Sequence, residues 1–530
     1  MTSGLSRRAV LKVASAGAAI MAAPALVRAA DSKTELRFIP HADLASLDPA
    51  WTTADITRNM SLACYDTLYG FDRDFAPQPQ MAEGHRVEDN NQTWEITLRD
   101  GLKFHDGTPV LAKDCIATIK RWGQRDPFGA AMLARLGEAT AASDKVIRLR
   151  FKKPFSLVPE ALAQYACAIM PERLAQTPIG TQVTEVVGSG PFRFRADERV
   201  SGSRVVYEKF AGYVPRPGGE GSFTAGAKVA HFDRVIWTFV PDAATSAAAM
   251  ANGEYDWWEY PSLDLVSTLR KDKNLGLRVI DRTGEIGCMR FNHLHPPFNN
   301  PAIRRVVLKA VNQSEFIEAA AGGSPDLIQT GIGLFVPGTP MASKVGLDVT
   351  KGDSNIEALK KELAAAGYNG EKVVVLAATT IPTIWGVSQV TQDLLQRLGM
   401  NVDFQALDWG TVVQRRASKE PVEKGGWSIF HTFLGGMGNI SPAASFAIRA
   451  SGGDAWFGWP ADPEFEAMRL SWFDAPDLAA QQKIAADLQA RFWTNPSYVP
   501  LGMYDQPVVY QNYLSGIRDG WPQMYGVKRG

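Results

Sequence analysis

The sequence predicts an α/β protein of two halves that leaves the cytoplasm. Three observations point there. Helical stripes and strand-like alternation interleave along the chain. Its 530 residues exceed the ~100–200 of one domain. Residues 1–29 read as a removable leader. The balance of charge narrows the function classes. Lys+Arg and Asp+Glu both number 56, which excludes a basic nucleic-acid binder and an acidic disordered tail. Four Cys in so long a chain exclude a disulfide-built scaffold, and their apolar surroundings predict buried free thiols at Cys64, Cys115, Cys167 and Cys288.

The leader comes first. Arg7 and Arg8 precede a weakly apolar run from Val13 to Val27. At 1.5 Å per residue that run is about 22 Å long, short of a ~30 Å hydrocarbon core. Ser6-Arg7-Arg8-Ala9-Val10-Leu11-Lys12 resembles a twin-arginine export signal, with Val10 in place of the usual Phe. Small residues at Val27-x-Ala29 place cleavage after Ala29. The leader carries four cations and no acid, so the expected mature chain has net charge −4.

Leu36 to Pro40 reads as the first strand. Trp94–Arg99 alternates, turns at Asp100-Gly101 and continues as Leu102-Lys103-Phe104. This predicts a hairpin, because Gly takes a positive φ at no steric cost. Cys115, Ile116, Ile119 and Trp122 recur at helical spacing. Strands follow at Val146–Phe151, Phe192–Phe194 and Arg204–Tyr207. Residues 212–228, rich in Gly and Pro, read as a surface excursion. After the strand Val235–Val240, Asp242 can cap a helix Ala243–Asn252 that stops at Gly253. Pro301–Ala321 reads as one helix. The stripe Ile356, Leu359, Leu363, the run Val373–Leu376, the stripe Val387–Leu398 and the alternation Val402–Leu407 form a second α/β unit. Helical stripes around Phe465–Trp472 and Ile484–Phe492 close the chain.

Catalytic constellations are weak in the sequence. Val187-Gly188-Ser189-Gly190-Pro191 is not a G-x-S-x-G elbow, and no phosphate-cradling loop occurs. His293-x-His295 is followed by Pro296-Pro297 with no third ligand nearby, which favours a loop over a metal site. His105-Asp106-Gly107 sits in a turn and reads as a structural hydrogen bond. Trp placement is more telling. Eight of 14 fall between residues 385 and 521, several beside Gly, where flat rings and free backbone can line a cleft.

Ordered motifs then converge on a family. Leu47-Asp48-Pro49, Tyr65-Asp66-Thr67-Leu68 and Pro79-x-Met81-Ala82 come first. Leu98-Arg99-Asp100-Gly101-Leu102-Lys103-Phe104-His105-Asp106-Gly107-Thr108-Pro109 and Val187-Gly188-Ser189-Gly190-Pro191-Phe192 follow. Phe291-Asn292 with Pro296-Pro297-Phe298, then Ala365-Ala366-Gly367-Tyr368, complete the series. Over residues 36–515 this resembles the peptide/nickel-type periplasmic solute-binding proteins of bacterial ABC importers, the extracellular solute-binding family 5.

The resemblance implies a two-lobe periplasmic binding protein fold of class II type, with an extra domain inserted in the first lobe. The expected parts are the signal peptide (1–29), first lobe (30–58), inserted subdomain (59–180), first lobe again (181–283), second lobe (284–494) and a first-lobe return (495–530) containing Tyr498-Val499-Pro500-Leu501. It implies no enzyme activity, cofactor or metal. It also implies a periplasmic monomer that traps a peptide or other small organic solute and delivers it to a membrane permease. A secreted hydrolase and a periplasmic sensor or chaperone are the alternatives.

Expected solute contacts are Trp51, Trp385, Trp409, Trp427, His431, Phe433, Gly435 and Gly436. In peptide-binding members an Asp in the segment after a G-W strand holds the ligand's amino terminus. Trp427–Asn439 here contains no carboxylate. A buried ammonium needs a charged partner. The expectation is therefore a solute without a free α-amino group there, unless Asp408 or Asp454 supplies the acid.

Overall fold

A computed structural model describes residues 34–218 and 221–530. The leader and its cleavage site lie outside the described residues. A seven-stranded sheet builds the first lobe, in the order Leu275–Val279, Pro507–Gln511, Trp257–Trp258, Glu35–Ile39, Arg234–Thr238, Arg204–Lys209, Phe192–Phe194. A six-stranded sheet builds the second: Ile328–Gln329, Tyr498–Tyr504, Glu285–Phe291, Ile429–Gly435, Lys372–Ala378, Asn401–Leu407. A separate antiparallel sheet, Ala82–Glu88, Thr93–Leu98, Val146–Phe151 and Leu136–Ser143, lies in the inserted region. The chain crosses between the large sheets twice, through residues 280–284 and 505–506.

Local periodicity produced most elements. Cys115, Ile116, Ile119 and Trp122 are buried on helix Ala112–Trp122. The Asp242 carboxylate accepts the Thr245 N–H and starts helix Ala243–Ala251. Helix Pro382–Arg397 joins the parallel strands Lys372–Ala378 and Asn401–Leu407 in the right order for an α/β unit.

Four expectations need correction. Thr93–Leu98 does not form a hairpin with residues 102–104; it pairs with Ala82–Glu88 and Val146–Phe151. The turn itself is real, with Gly101 at φ +77°. Pro301–Ala321 is two helices, Pro301–Ala310 and Gln313–Ala321. The Asn312 side chain accepts the Ser314 N–H and caps the second. Residues 212–228 are not all surface: Phe223, Thr224 and Lys228 are buried, because the Lys228 ammonium pairs with Asp66 at 2.8 Å. Finally, Tyr498–Tyr504 belongs to the second lobe, paired with Glu285–Phe291, so the first lobe resumes at Pro507 and not after residue 494.

The inserted region also touches the second lobe. Asp474 accepts Arg135 Nε at 2.8 Å and Lys153 Nζ at 2.7 Å, while the Phe128 ring meets Trp472 and Phe473. Arg270 of the first lobe pairs with Asp326 of the second at 2.5 Å.

Candidate functional site

Parallel strands in both lobes end at the space between them. First-lobe loops leave Ile39, Thr238 and Trp258; second-lobe loops leave Ala378, Leu407 and Gly435. Ligands of open α/β sheets bind at such carboxyl ends. A cavity of about 910 Å³ lies here, walled by His41, Phe239 and Tyr260 on one side and by Ala320, Thr383 and Tyr504 on the other. That volume suits a small organic molecule.

Charge concentrates beside it. Glu259 is fully buried and receives His41 Nδ1 at 2.7 Å, the His41 backbone N–H at 2.9 Å and Asn59 Nδ2 at 2.6 Å. Burial alone would lower the His41 pKa, but the Glu259 charge holds it raised. The Tyr260 hydroxyl, next along the chain, donates to Glu285 Oε1 of the second lobe at 2.9 Å. Burial and then the Asp55 charge push the Glu285 carboxyl up to about 7. Asp55 itself pairs with Arg58 at 2.8 Å, and that guanidinium lies 4.6 Å over the Trp521 ring.

The sequence-predicted contacts scatter across this frame. Gly435 stands directly opposite Glu285 in the strand pair, and a Cβ there would lie 4.0 Å from Glu285 Oε1. A side chain at Gly436 would strike the Thr283 carbonyl at 1.9 Å, so only glycine fits. The Phe433 ring packs on Tyr504 at 5.1 Å, at the cavity wall. Trp51 is half-buried beneath Arg125, and Trp385 rests against Phe404. Trp409 is half-buried beside Arg416.

Two expectations fail outright. Trp427 is core, packed on Phe430 and Trp459. His431 is sealed between its strand and helix Pro382–Arg397, with Ser388 Oγ at 3.1 Å and Thr391 Oγ1 at 2.7 Å. Burial lowers its pKa to about 3, so the ring is neutral. Strand parity explains this: residues 429, 431 and 433 point to the helix-covered face.

The family profile of the bacterial extracellular solute-binding proteins, family 5, matches residues 76–457. A probable peptide ABC transporter periplasmic-binding protein from Sinorhizobium fredii is 34% identical over 520 residues, covering 97% of each chain. The chain belongs to family 5 of the bacterial extracellular solute-binding proteins.

Solved structures share its two-lobe fold. A dipeptide-binding protein from Pseudoalteromonas sp. SM9913 in complex with Met-Leu superposes with TM-score 0.76 at 18% identity, covering 94% of this chain and 100% of its own. The periplasmic binding protein AgaA of A. tumefaciens R10, in complex with agropinic acid, gives 0.75 at 21% identity, covering 94% and 99%.

In this solute-binding protein the recognisable motifs are joints. Asp48 forms a buried pair with Arg121 at 2.6 Å and accepts the Val183 N–H. Asp66 holds Lys228 and the Tyr213 hydroxyl. The His105 ring locks two motifs together, accepting the Gly188 N–H at Nδ1 and donating from Nε2 to the Gly190 carbonyl. Gly188 and Gly190 lie against the Cys64 carbonyl, where a Cβ would meet backbone at 1.9 and 2.6 Å. All four Cys are buried and free. His293 and His295 bond to separate carbonyls, of Ser497 and Lys419.

The sequence motifs pointed to none of His41, Glu259, Tyr260 or Glu285. A local cue existed in each case: a charged or phenolic residue at a strand end facing the cleft.

Proposed function

We propose that this chain is the periplasmic component of an ABC importer, capturing a small peptide or peptide-like solute between its lobes and delivering it to a membrane permease. Family membership supports solute capture, and the name of the Sinorhizobium relative supports peptide transport. The observation that carries the finer reading is the Glu285 carboxyl beside Gly435 and the interlobe cavity. It supplies the acid that Trp427–Asn439 lacks. Neither acid named from the sequence does so: Asp408 caps helix Trp409–Arg415 through Thr411, and Asp454 lies exposed in a short turn. A free amino group is therefore the feature we assign to the solute, reversing the expectation from the sequence.

Export through the twin-arginine route, cleavage after Ala29 and a monomeric state belong to the same proposal. N-terminal sequencing of periplasmic protein and an Arg7/Arg8→Lys variant test the leader. Calorimetry with Met-Leu and N-acetyl-Met-Leu tests the site. The free dipeptide should bind, and acetylation or Glu285→Gln should each weaken it by about 1.5–3 kcal/mol, the worth of a hydrogen bond to a charged group. Because the Glu285 carboxyl lies near 7 when empty, affinity for the amine should rise as pH climbs from 6 toward about 7.5 and fall again once the α-amino group, with its usual pKa of about 7.7–8.0, loses its proton. Equal affinity for the acetylated twin, or a radius of gyration unchanged by saturating solute, would overturn the reading.

A further inference from the structure

A separate cavity of about 430 Å³ opens on the first lobe, and none of its lining residues lines the interlobe cavity. Its walls come from distant stretches of chain: Arg73, residues 221–231, Arg278 and residues 516–528. Four cations line it, Arg73, Arg278, Arg518 and Lys528, with His231 among them. Asp519 is the one acid among the described lining residues. Elsewhere on this lobe cations are answered: Arg195 meets Glu208 at 3.0 Å, and Arg234 meets Glu198 at 2.5 Å.

Two of the guanidinium groups here are held in place yet left short of acceptors. Arg278 Nη2 donates to the Ile517 carbonyl at 2.7 Å and to Asp519 Oδ1 at 3.2 Å, while its Nε is buried without a partner. Arg518 Nη2 donates to the Ala227 carbonyl, and its guanidinium carbon lies 4.9 Å over the Tyr525 ring. Its Nη1 is buried without a partner. Glycines let the backbone close around this arginine. A Cβ at Gly221 would lie 2.0 Å from Arg518 Nη2, and one at Gly526 would lie 3.0 Å from Nε. Among the described residues, the side chains of Arg73, His231 and Lys528 make no hydrogen bond or ion pair. Like charges gathered in one hollow repel, and an unanswered N–H costs free energy. The crowding reaches His231, whose pKa is lowered by burial and then by Lys528 and Lys209.

We propose that this hollow binds a soluble phosphate compound, a diphosphate or a small phosphate monoester, separately from the transported solute. Four cations against one acid leave a surplus of three charges, more than one carboxylate answers. A carboxylate also presents two oxygens in one plane. A phosphoryl group presents three around a tetrahedral centre, so cations from separate stretches of chain can each take one, and the guanidinium forks match it in pairs. The volume suits a small phosphorylated molecule.

The test is calorimetry of the whole protein with pyrophosphate, inorganic phosphate and acetate, at constant ionic strength in chloride. Pyrophosphate should bind one to one, phosphate more weakly, and acetate not measurably. Arg518→Met should weaken pyrophosphate by about tenfold or more, the worth of a hydrogen bond to a charged group. Because that change also alters packing on Tyr525, a second variant is needed. Lys528→Gln, at an exposed position, should weaken pyrophosphate about threefold with an unchanged melting temperature. Asp519→Asn should tighten it. By NMR, His231 should titrate at higher pH with pyrophosphate bound, while the other six histidines stay where they were. Glu220, next to the wall residue Gly221, lies outside the described residues, and Glu220→Gln tests it. Pyrophosphate binding seen only in that variant would mean that the chain answers its own cations, and would overturn the proposal. So would equal binding of acetate and pyrophosphate, or binding that survives Arg518→Met and Lys528→Gln together. Met-Leu affinity should be the same with and without pyrophosphate. Competition between the two would also overturn the proposal, since the anion would then occupy the solute site.

Discussion

The joint between the first lobe and the inserted subdomain and the ring-lined wall of the second lobe treat buried charge in opposite ways. At the joint two buried ion pairs hold the parts together. Arg121 donates to both Asp48 oxygens and to the Thr177 and Thr181 carbonyls, and Lys228 meets Asp66. At the wall Arg290 and Arg416 have no acid at all. Matched charge fixes a scaffold permanently. The motifs that reveal the family lie in the first kind of region.

The same substitution tests the contrast most directly. Arg121→Met should cost about 3–5 kcal/mol in denaturant unfolding, because it leaves Asp48 charged and buried alone. Arg416→Met should cost little or nothing. Equal losses at the two sites would erase the distinction.

Acid should loosen both the joint and the second lobe next. Burial lowers His105 to about 4 and His431 to about 3, below the ordinary value near 6.5. The unfolded chain then binds more protons than the folded one, so stability is whole above about pH 6.5 and falls as pH drops toward 4. The loss by pH 4 is on the order of 3 kcal/mol for each ring. Melting curves between pH 7 and 4 read the sum, and His105→Gln should flatten part of the slope. A flat profile in the parent protein would contradict the sealed environment of both rings.

Gly188→Ala comes third, at roughly 1–3 kcal/mol, because the new methyl meets the Cys64 carbonyl. Solute affinity should hardly move, since the damage stays at the joint. The smallest effect belongs to the contacts that tie the inserted region to the second lobe. Asp474 is partly exposed, so Asp474→Asn should remove only about 0.5–1 kcal/mol after solvent screening. Its clearer readout is scattering: the solute-free protein should expand slightly. An unchanged radius would mean that these ion pairs do not hold the lobes together.

By itself the sequence determined the two-sheet α/β plan, the helices Ala112–Trp122, Ala243–Ala251 and Pro382–Arg397, and the family. Those depend on side-chain period and on caps a few residues away, which are local and legible. Only the tertiary structure decided the rest. Thr93–Leu98 chose Val146–Phe151 over its neighbour in sequence, and Tyr498–Tyr504 joined the second lobe. His431, a polar residue between Phe430 and Thr432, was sealed under a helix because alternation pointed it inward. Glu285 came to Gly435 across 150 residues, and Phe430, Trp456 and Phe457 closed around Arg416. Whether a charge is answered or left waiting depends on contacts through space between distant segments, and no spacing along one chain encodes them.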